Sequence, residues 1–68
     1  MLNVNKFKGA IARAGHTQES LAKEMDMSPN TLNAKVNGNS RITVDEVVKF
    51  CEVLSIDNDS EKIEIFLS

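Results

Sequence analysis

Residues 17–38, TQESLAKEMDMSPNTLNAKVNG, decide how this chain is read. Leu21, Ala22 and Met25 lie one helical turn apart, and Leu32 and Val36 repeat that spacing after a break at Asp26-Met27-Ser28. The pattern predicts two short amphipathic helices folded onto a shared core across a tight polar turn. Thr17 is placed to cap the first helix, but Ser20 stands where a capping box prefers Glu, so only half of that signal is expected. Ser28 followed by Pro29 starts the second: the hydroxyl accepts a backbone N–H, and proline lacks a donor that the first turn would leave unpaired. Asn30, Thr31, Asn33, Ala34 and Lys35 then face outward, and none is a large apolar residue that needs burial. Asn37-Gly38 reads as a helix stop, because Thr31 to Val36 lack the period-two alternation of a hairpin strand. Such an outer face suits a groove in DNA.

Upstream, Val4, Phe7, Ile11 and Ala14 predict a first helix, capped by Asn3 or Asn5 and stopped at Gly15, which can take up the left-handed conformation that ends helices. Downstream, Thr43 with Glu46 three residues on forms a full capping box. The fourth helix that it opens carries the stripe Val44, Val47, Val48, Cys51 and Leu54 and ends near Leu54 or Ser55. Asp57, Asn58, Asp59 and Ser60 offer alternative caps for a last helix through Phe66. Lys62 to Leu67 also alternates, so a strand exchanged between two subunits stays open for that segment. The expected fold is all-α, a compact four- to five-helix domain spanning residues 1–68, with no internal repeat or linker.

Sixty-eight residues allow one domain, and chains this short bury only about three fifths of their unfolded surface. With 41% apolar and 26% charged residues the composition is that of a globular helical domain. The single cysteine, Cys51, falls on the apolar stripe of the fourth helix and reads as a buried structural thiol. No apolar run approaches membrane-spanning length, and Met1 opens directly into an amphipathic helix, so a cytoplasmic setting is expected. His16 is the one histidine, a solvated linker residue with no second histidine to make a metal site. One histidine, one cysteine, no tyrosine or tryptophan, and glycines as far apart as Gly9, Gly15 and Gly38 leave no plausible catalytic set and no seat for a cofactor.

The net charge of −2 is unevenly spread. Residues 1–41 carry Lys6, Lys8, Arg13, Lys23, Lys35 and Arg41 against Glu19, Glu24 and Asp26, a balance of +3. Residues 42–68 carry Lys49 and Lys62 against seven acids, a balance of −5. That polarity predicts a two-faced molecule whose first half is turned toward an anionic partner, with modest non-specific affinity.

The arrangement resembles the helix-turn-helix of the lambdoid repressor and Cro family, over roughly the whole chain at the level of pattern. The specific tokens are Thr17-Gln18, Leu21-Ala22, Ser28, Thr31-Leu32 and Asn37-Gly38, and the runs Ala34 to Gly38 and Ile63 to Leu67 look like small phage or mobile-element regulators. The resemblance implies a regulator that binds double-stranded operator DNA, with the helix over about residues 28–37 in the major groove. By the same resemblance, Asn30, Asn33 and Ala34 would read bases: an asparagine amide can accept from N6–H and donate to N7 of adenine at once, and alanine can touch a thymine methyl. Gln18, Ser28, Thr31, Lys35, Asn37, Asn39, Ser40 and Arg41 would contact the DNA backbone. A module of this size reads few base pairs, so a homodimer on two half-sites is expected, with Ile63 to Leu67 either packed in the core or forming the dimer surface.

The chain departs from the family at three positions. Asp26 stands where relatives have a turn glycine; aspartate tolerates the left-handed region at some cost in strain. Ile11 and Val36 stand where many relatives have an arginine and a glutamate, and packed apolar side chains are expected to replace that ion pair without loss of fold. The alternative reading is a module that binds another regulator, an antirepressor or modulator, through its acidic second half or a face around Ile56, Ile65 and Phe66.

Overall fold

A computed structural model describes residues 2–67 and contains five helices: α1 (Val4–Arg13), α2 (Gln18–Glu24), α3 (Pro29–Val36), α4 (Val44–Val53) and α5 (Asp59–Phe66). Each begins at a side chain that accepts an orphan backbone N–H. Asn3, not Asn5, caps α1 by accepting from Lys6, and Ser28 caps α3 by accepting from Thr31, with Pro29 in the first turn. Thr43 and Glu46 form the expected reciprocal box on α4. The box on α2 is also complete, contrary to the half-signal expected: Ser20 Oγ accepts from the Thr17 N–H at 3.0 Å, so serine does here what glutamate usually does. Ser20 Oγ lies 2.9 Å from His16 Nδ1, so His16 is half-buried and bonded rather than freely solvated.

All four turns between helices close in the same way. Gly15, Asp26, Gly38 and Ser55 have φ of 80, 57, 78 and 55°. After each, the following N–H reaches five residues back, from His16 to Ile11, Met27 to Ala22, Asn39 to Ala34 and Ile56 to Cys51, at 2.8–3.1 Å. This 6→1 bond with a left-handed residue before it satisfies carbonyls that a helix end leaves unpaired. Glycine supplies two of the four positions; Asp26 takes the conformation expected of it, and Ser55 does so without a sequence signal.

The core gathers Phe7, Ala10 and Ile11 from α1, Leu21, Ala22 and Met25 from α2 and its cap, Leu32 and Val36 from α3, Phe50, Cys51 and Leu54 from α4 and its cap, then Ile56 and Ile65. Phe7 stands edge-on to Phe50 at 5.1 Å and to Phe66 at 5.2 Å between ring centroids, joining α1, α4 and α5. α2 packs on α3, and α1 on both α3 and α5. Ile11 and Val36 are both buried in this core, where many relatives have the ion pair. Burial pushes the Cys51 thiol up from its ordinary pKa, as its place on the stripe implied.

Several expectations are corrected. Ala14 is the exposed cap residue of α1, and Ala10 is buried in its stead. On α4 the buried stripe runs through Phe50, Cys51 and Leu54 with Val47 beside it, while Val44 and Val48 are exposed: helical spacing fits either phase, and Phe7 selects the one that buries Phe50. The last segment is a helix, held by Asn58, which accepts from both Ser60 and Glu61, so the exchanged strand is not formed. Ile56 and Ile65 are fully buried, which removes the face that the protein-docking alternative named.

The two-faced charge distribution is also largely cancelled by the fold. Lys6 pairs with Glu64, Arg13 with Glu61 and Lys35 with Glu46, so three cations of the first half meet acids of the second. Arg13 and Glu61 are joined by two hydrogen bonds, which raise the guanidinium pKa and lower that of the carboxyl. Lys35 is the most enclosed of these cations, its side chain 11% exposed. Its Nζ donates to Glu46 Oε1 and to the Arg41 carbonyl, both at 2.9 Å, tying α3 to α4 and to the loop between them. Glu46 also accepts from the Thr43 N–H, and that bond first, then Lys35, holds its carboxyl below the ordinary value of 4.5.

Replacing Asp26 or Ser55 by glycine removes the side-chain clash of the left-handed conformation and is expected to raise stability by up to about 1 kcal/mol, read as a higher melting temperature. A fall in melting temperature for both variants would show that these turns are unstrained. Because the Glu46 pKa is depressed on folding, its contribution is present above 4.5 and lost as pH falls through the lowered folded value. Thermal melts on acidification should therefore decline less steeply for Glu46→Gln than for the wild type, and equal slopes would exclude that contribution.

Candidate nucleic-acid interface

The buried stripe of α3, Leu32 and Val36, fixes which residues that helix turns outward. Asn30, Thr31 and Asn33 are exposed, and Ala34 and Asn37 are half-buried. The Asn30 amide makes no hydrogen bond to another described residue, so its donor and acceptor both face solvent at the second position of the helix. Asn33 and Asn37 are interlocked: Asn37 Nδ2 donates to Asn33 Oδ1 and to the Asn33 carbonyl, both at 2.9 Å. Asn33 keeps its amide donors, and Asn37 its amide oxygen, for an outside partner. The first loop residue after the stop, Asn39, returns its N–H to the Ala34 carbonyl at 2.8 Å.

The hydroxyls at the start of α3 are also paired. Ser28 Oγ donates to Thr31 Oγ1 at 2.8 Å while accepting the Thr31 N–H, so Ser28 is fully used as a cap. The Thr31 hydroxyl accepts from Ser28 and keeps its own proton free to donate. Asn39, Ser40 and Arg41 are exposed on the loop between α3 and α4, and their side chains have no hydrogen-bond partner among the described residues. Lys35, expected to reach a phosphate, is instead held inside the protein by Glu46 and the Arg41 carbonyl.

Gln18 is half-buried at the first position of α2. It lines a shallow groove with Lys8, Ile11, Ala12 and His16, which brings a cation of α1 beside Gln18. Lys8 is absent from the residues that the sequence singled out. Its signal was available only in part: Ile11 and Ala12 follow it by one turn, but the approach of α1 to the start of α2 depends on the turn at Gly15. Lys8 and Arg41 make no ion pair with the described acids, unlike Lys6, Arg13 and Lys35. Lys23 on α2 and Lys49 on α4 are unpaired as well, and of these four cations Lys8 lies beside the start of α2 and Arg41 on the loop after α3, on either side of the asparagine face in sequence.

Among the described residues no group of three or more His, Cys, Asp or Glu could hold a metal ion, and no helix is long and apolar enough to cross a membrane. The arrangement offers amides, the free hydroxyl protons of Thr31 and Ser40 and the separated cations Lys8 and Arg41, which can bind and orient a polyanion.

No curated protein and no solved structure matches the chain. The profile of the helix-turn-helix family matches residues 10–57, from the middle of α1 through the end of the turn after α4. That span contains α2, the turn at Asp26, α3 and the loop to Arg41. The chain belongs to the helix-turn-helix family of the repressor and Cro type, whose members are DNA-binding regulators of transcription.

Proposed function

We propose that the five helices act as one sequence-specific duplex-DNA-binding unit, a cytoplasmic repressor working as a homodimer, of the small phage or mobile-element kind that the chain resembles. The observation that carries this reading is the outer face of α3, where Asn30 projects an amide with no internal partner beside the interlocked Asn33 and Asn37. α3 lies in the major groove in this reading. Asn30 pairs with an adenine edge, Asn33 contributes its amide donors, and Ala34 meets a thymine methyl. Gln18, with Lys8 beside it, and Thr31 contact phosphates at one end; Asn39, Ser40 and Arg41 do so at the other. Asn37 supports Asn33, Ser28 caps the helix, and Lys35 acts from within by holding the loop through the Arg41 carbonyl. Few cations face outward, so the salt dependence of binding is shallow for a DNA-binding protein.

Fluorescence titration against promoter fragments from the protein's own locus should give saturable, salt-sensitive binding; binding that ignores salt would sink the DNA reading. In such titrations Asn30→Ala should cost about 1–3 kcal/mol on the preferred site and relax preference at one base pair. Arg41→Ala should instead weaken all sequences alike and reduce the salt slope by about one. An equal loss on every sequence from Asn30→Ala would remove that residue from base reading.

A further inference from the structure

Residues 42–68 carry seven acids, yet none of them lines the groove of about 450 Å³ where the α3–α4 loop meets the start of α4 and the end of α5. Its charged lining residues are Arg41 and Lys62, both cations. Six apolar side chains, Leu2, Ile42, Val44, Val47, Phe66 and Leu67, form most of the remaining wall. Val44 and Leu67 are 79 and 73% exposed, so two large apolar side chains of one groove are left open to solvent.

Both cations are available to an outside anion. The carbonyl of Arg41 is held by Lys35 Nζ at 2.9 Å, which fixes its main chain, while its guanidinium has no hydrogen-bond or ion-pair partner among the described residues. Lys62 Nζ lies 3.8 Å from Asp59 Oδ1, too far for a hydrogen bond, so the ammonium protons stay open to a closer anion.

We propose that this groove is an effector site for a small amphipathic anion, an acyl carboxylate of medium chain length, whose binding draws Arg41 away from DNA. Small-molecule sites are mostly apolar clefts of about 300–1,000 Å³ with a few polar groups that fix orientation, and the groove has that size and that make-up. Charge complementarity selects the head: with two cations and no acid in the wall, the occupant is anionic, and a carboxylate accepts two parallel N–H bonds from a guanidinium. The apolar wall selects the tail. An inorganic anion, or a DNA phosphate alone, would leave Val44 and Leu67 in water.

The site stands on the groove itself, and its regulatory consequence rests on the DNA reading. Arg41 and Ser40 line the groove and also belong to the loop assigned to phosphate contact. One guanidinium cannot serve a carboxylate and a phosphate at once. The acyl anion and DNA therefore weaken each other's binding by the same factor.

Decanoate below its micelle concentration is the probe, titrated into the full chain and followed by amide chemical shifts. Saturable shifts confined to residues 38–47 and 62–67 are expected, with a higher melting temperature. Butyrate, with the same head and a short tail, and decanol, with the tail and no charge, should each bind at least about tenfold more weakly. On the promoter fragment, decanoate should lower DNA affinity about fivefold or more. Lys62→Gln and Val44→Glu should keep the DNA affinity seen without decanoate and lose the response to it. Glutamate suits the first turn of α4, so that fold should hold.

Absence of saturable binding, equal binding of butyrate, a lowered melting temperature or an unaltered response in both variants would each overturn the proposal. Concentration-dependent shifts of the same residues without decanoate would overturn it in favour of a second copy in the groove. Decanoate binding that leaves a measurable DNA affinity unchanged would overturn the effector role. Saturable decanoate binding by a chain that binds no DNA under any condition would support the site and strike the DNA reading alone.

Discussion

The packing of Phe7 between Phe50 and Phe66 is the contact on which the rest of the molecule depends. These are all the aromatic residues the chain has, and together they fasten α1 to α4 and α5. Edge-to-face pairs add about 0.5–1.5 kcal/mol beyond burial, a sizeable share for a chain that covers so little of its unfolded surface. α1 in turn packs on α3, so the pair α2 and α3 is positioned by a helix whose own place is set by phenylalanine. The Lys35 to Glu46 pair adds a second, polar connection between that unit and α4.

The four helix endings share one construction, and that uniformity has a bearing on the interface. Each left-handed residue is followed by an N–H that reaches five residues back and satisfies a carbonyl at the end of the preceding helix. The turns that frame α3, at Asp26 and Gly38, are therefore stiff despite being short and polar. An interface on a short helix needs such framing, because eight residues of helix are marginal alone and take their stability from neighbours.

Much of this was legible in residue order, and what was not had physical causes. Caps at Ser28 and Thr43 and stops at Gly15 and Gly38 are local, so their chemistry can be read from a few neighbours. Ser55 could not be read, since serine carries no preference for positive φ and is forced there by its surroundings. The rotation of α4 was ambiguous because Val44, Val47, Val48 and Val53 surround the helix, and only the distant Phe7 decides which side is buried. At the candidate interface the outward position of Asn30 follows directly from the burial of Leu32 and Val36. The engagement of Lys35 does not, because its partner Glu46 lies eleven residues on, across a loop. Charge sums over segments failed for a similar reason: Lys6 and Arg13 find acids 58 and 48 residues away.

The interlocked amides of Asn33 and Asn37 have a thermodynamic consequence for recognition. Each asparagine that must be frozen on contact forfeits rotameric freedom, and that loss subtracts from affinity. Here the bond between the two has already selected one rotamer for each during folding. Asn30 is still free to swivel. In the proposed docking mode the face thus combines a preorganised pair with one adaptable neighbour, so substitution of Asn37, which need touch no base, would loosen the amide that does.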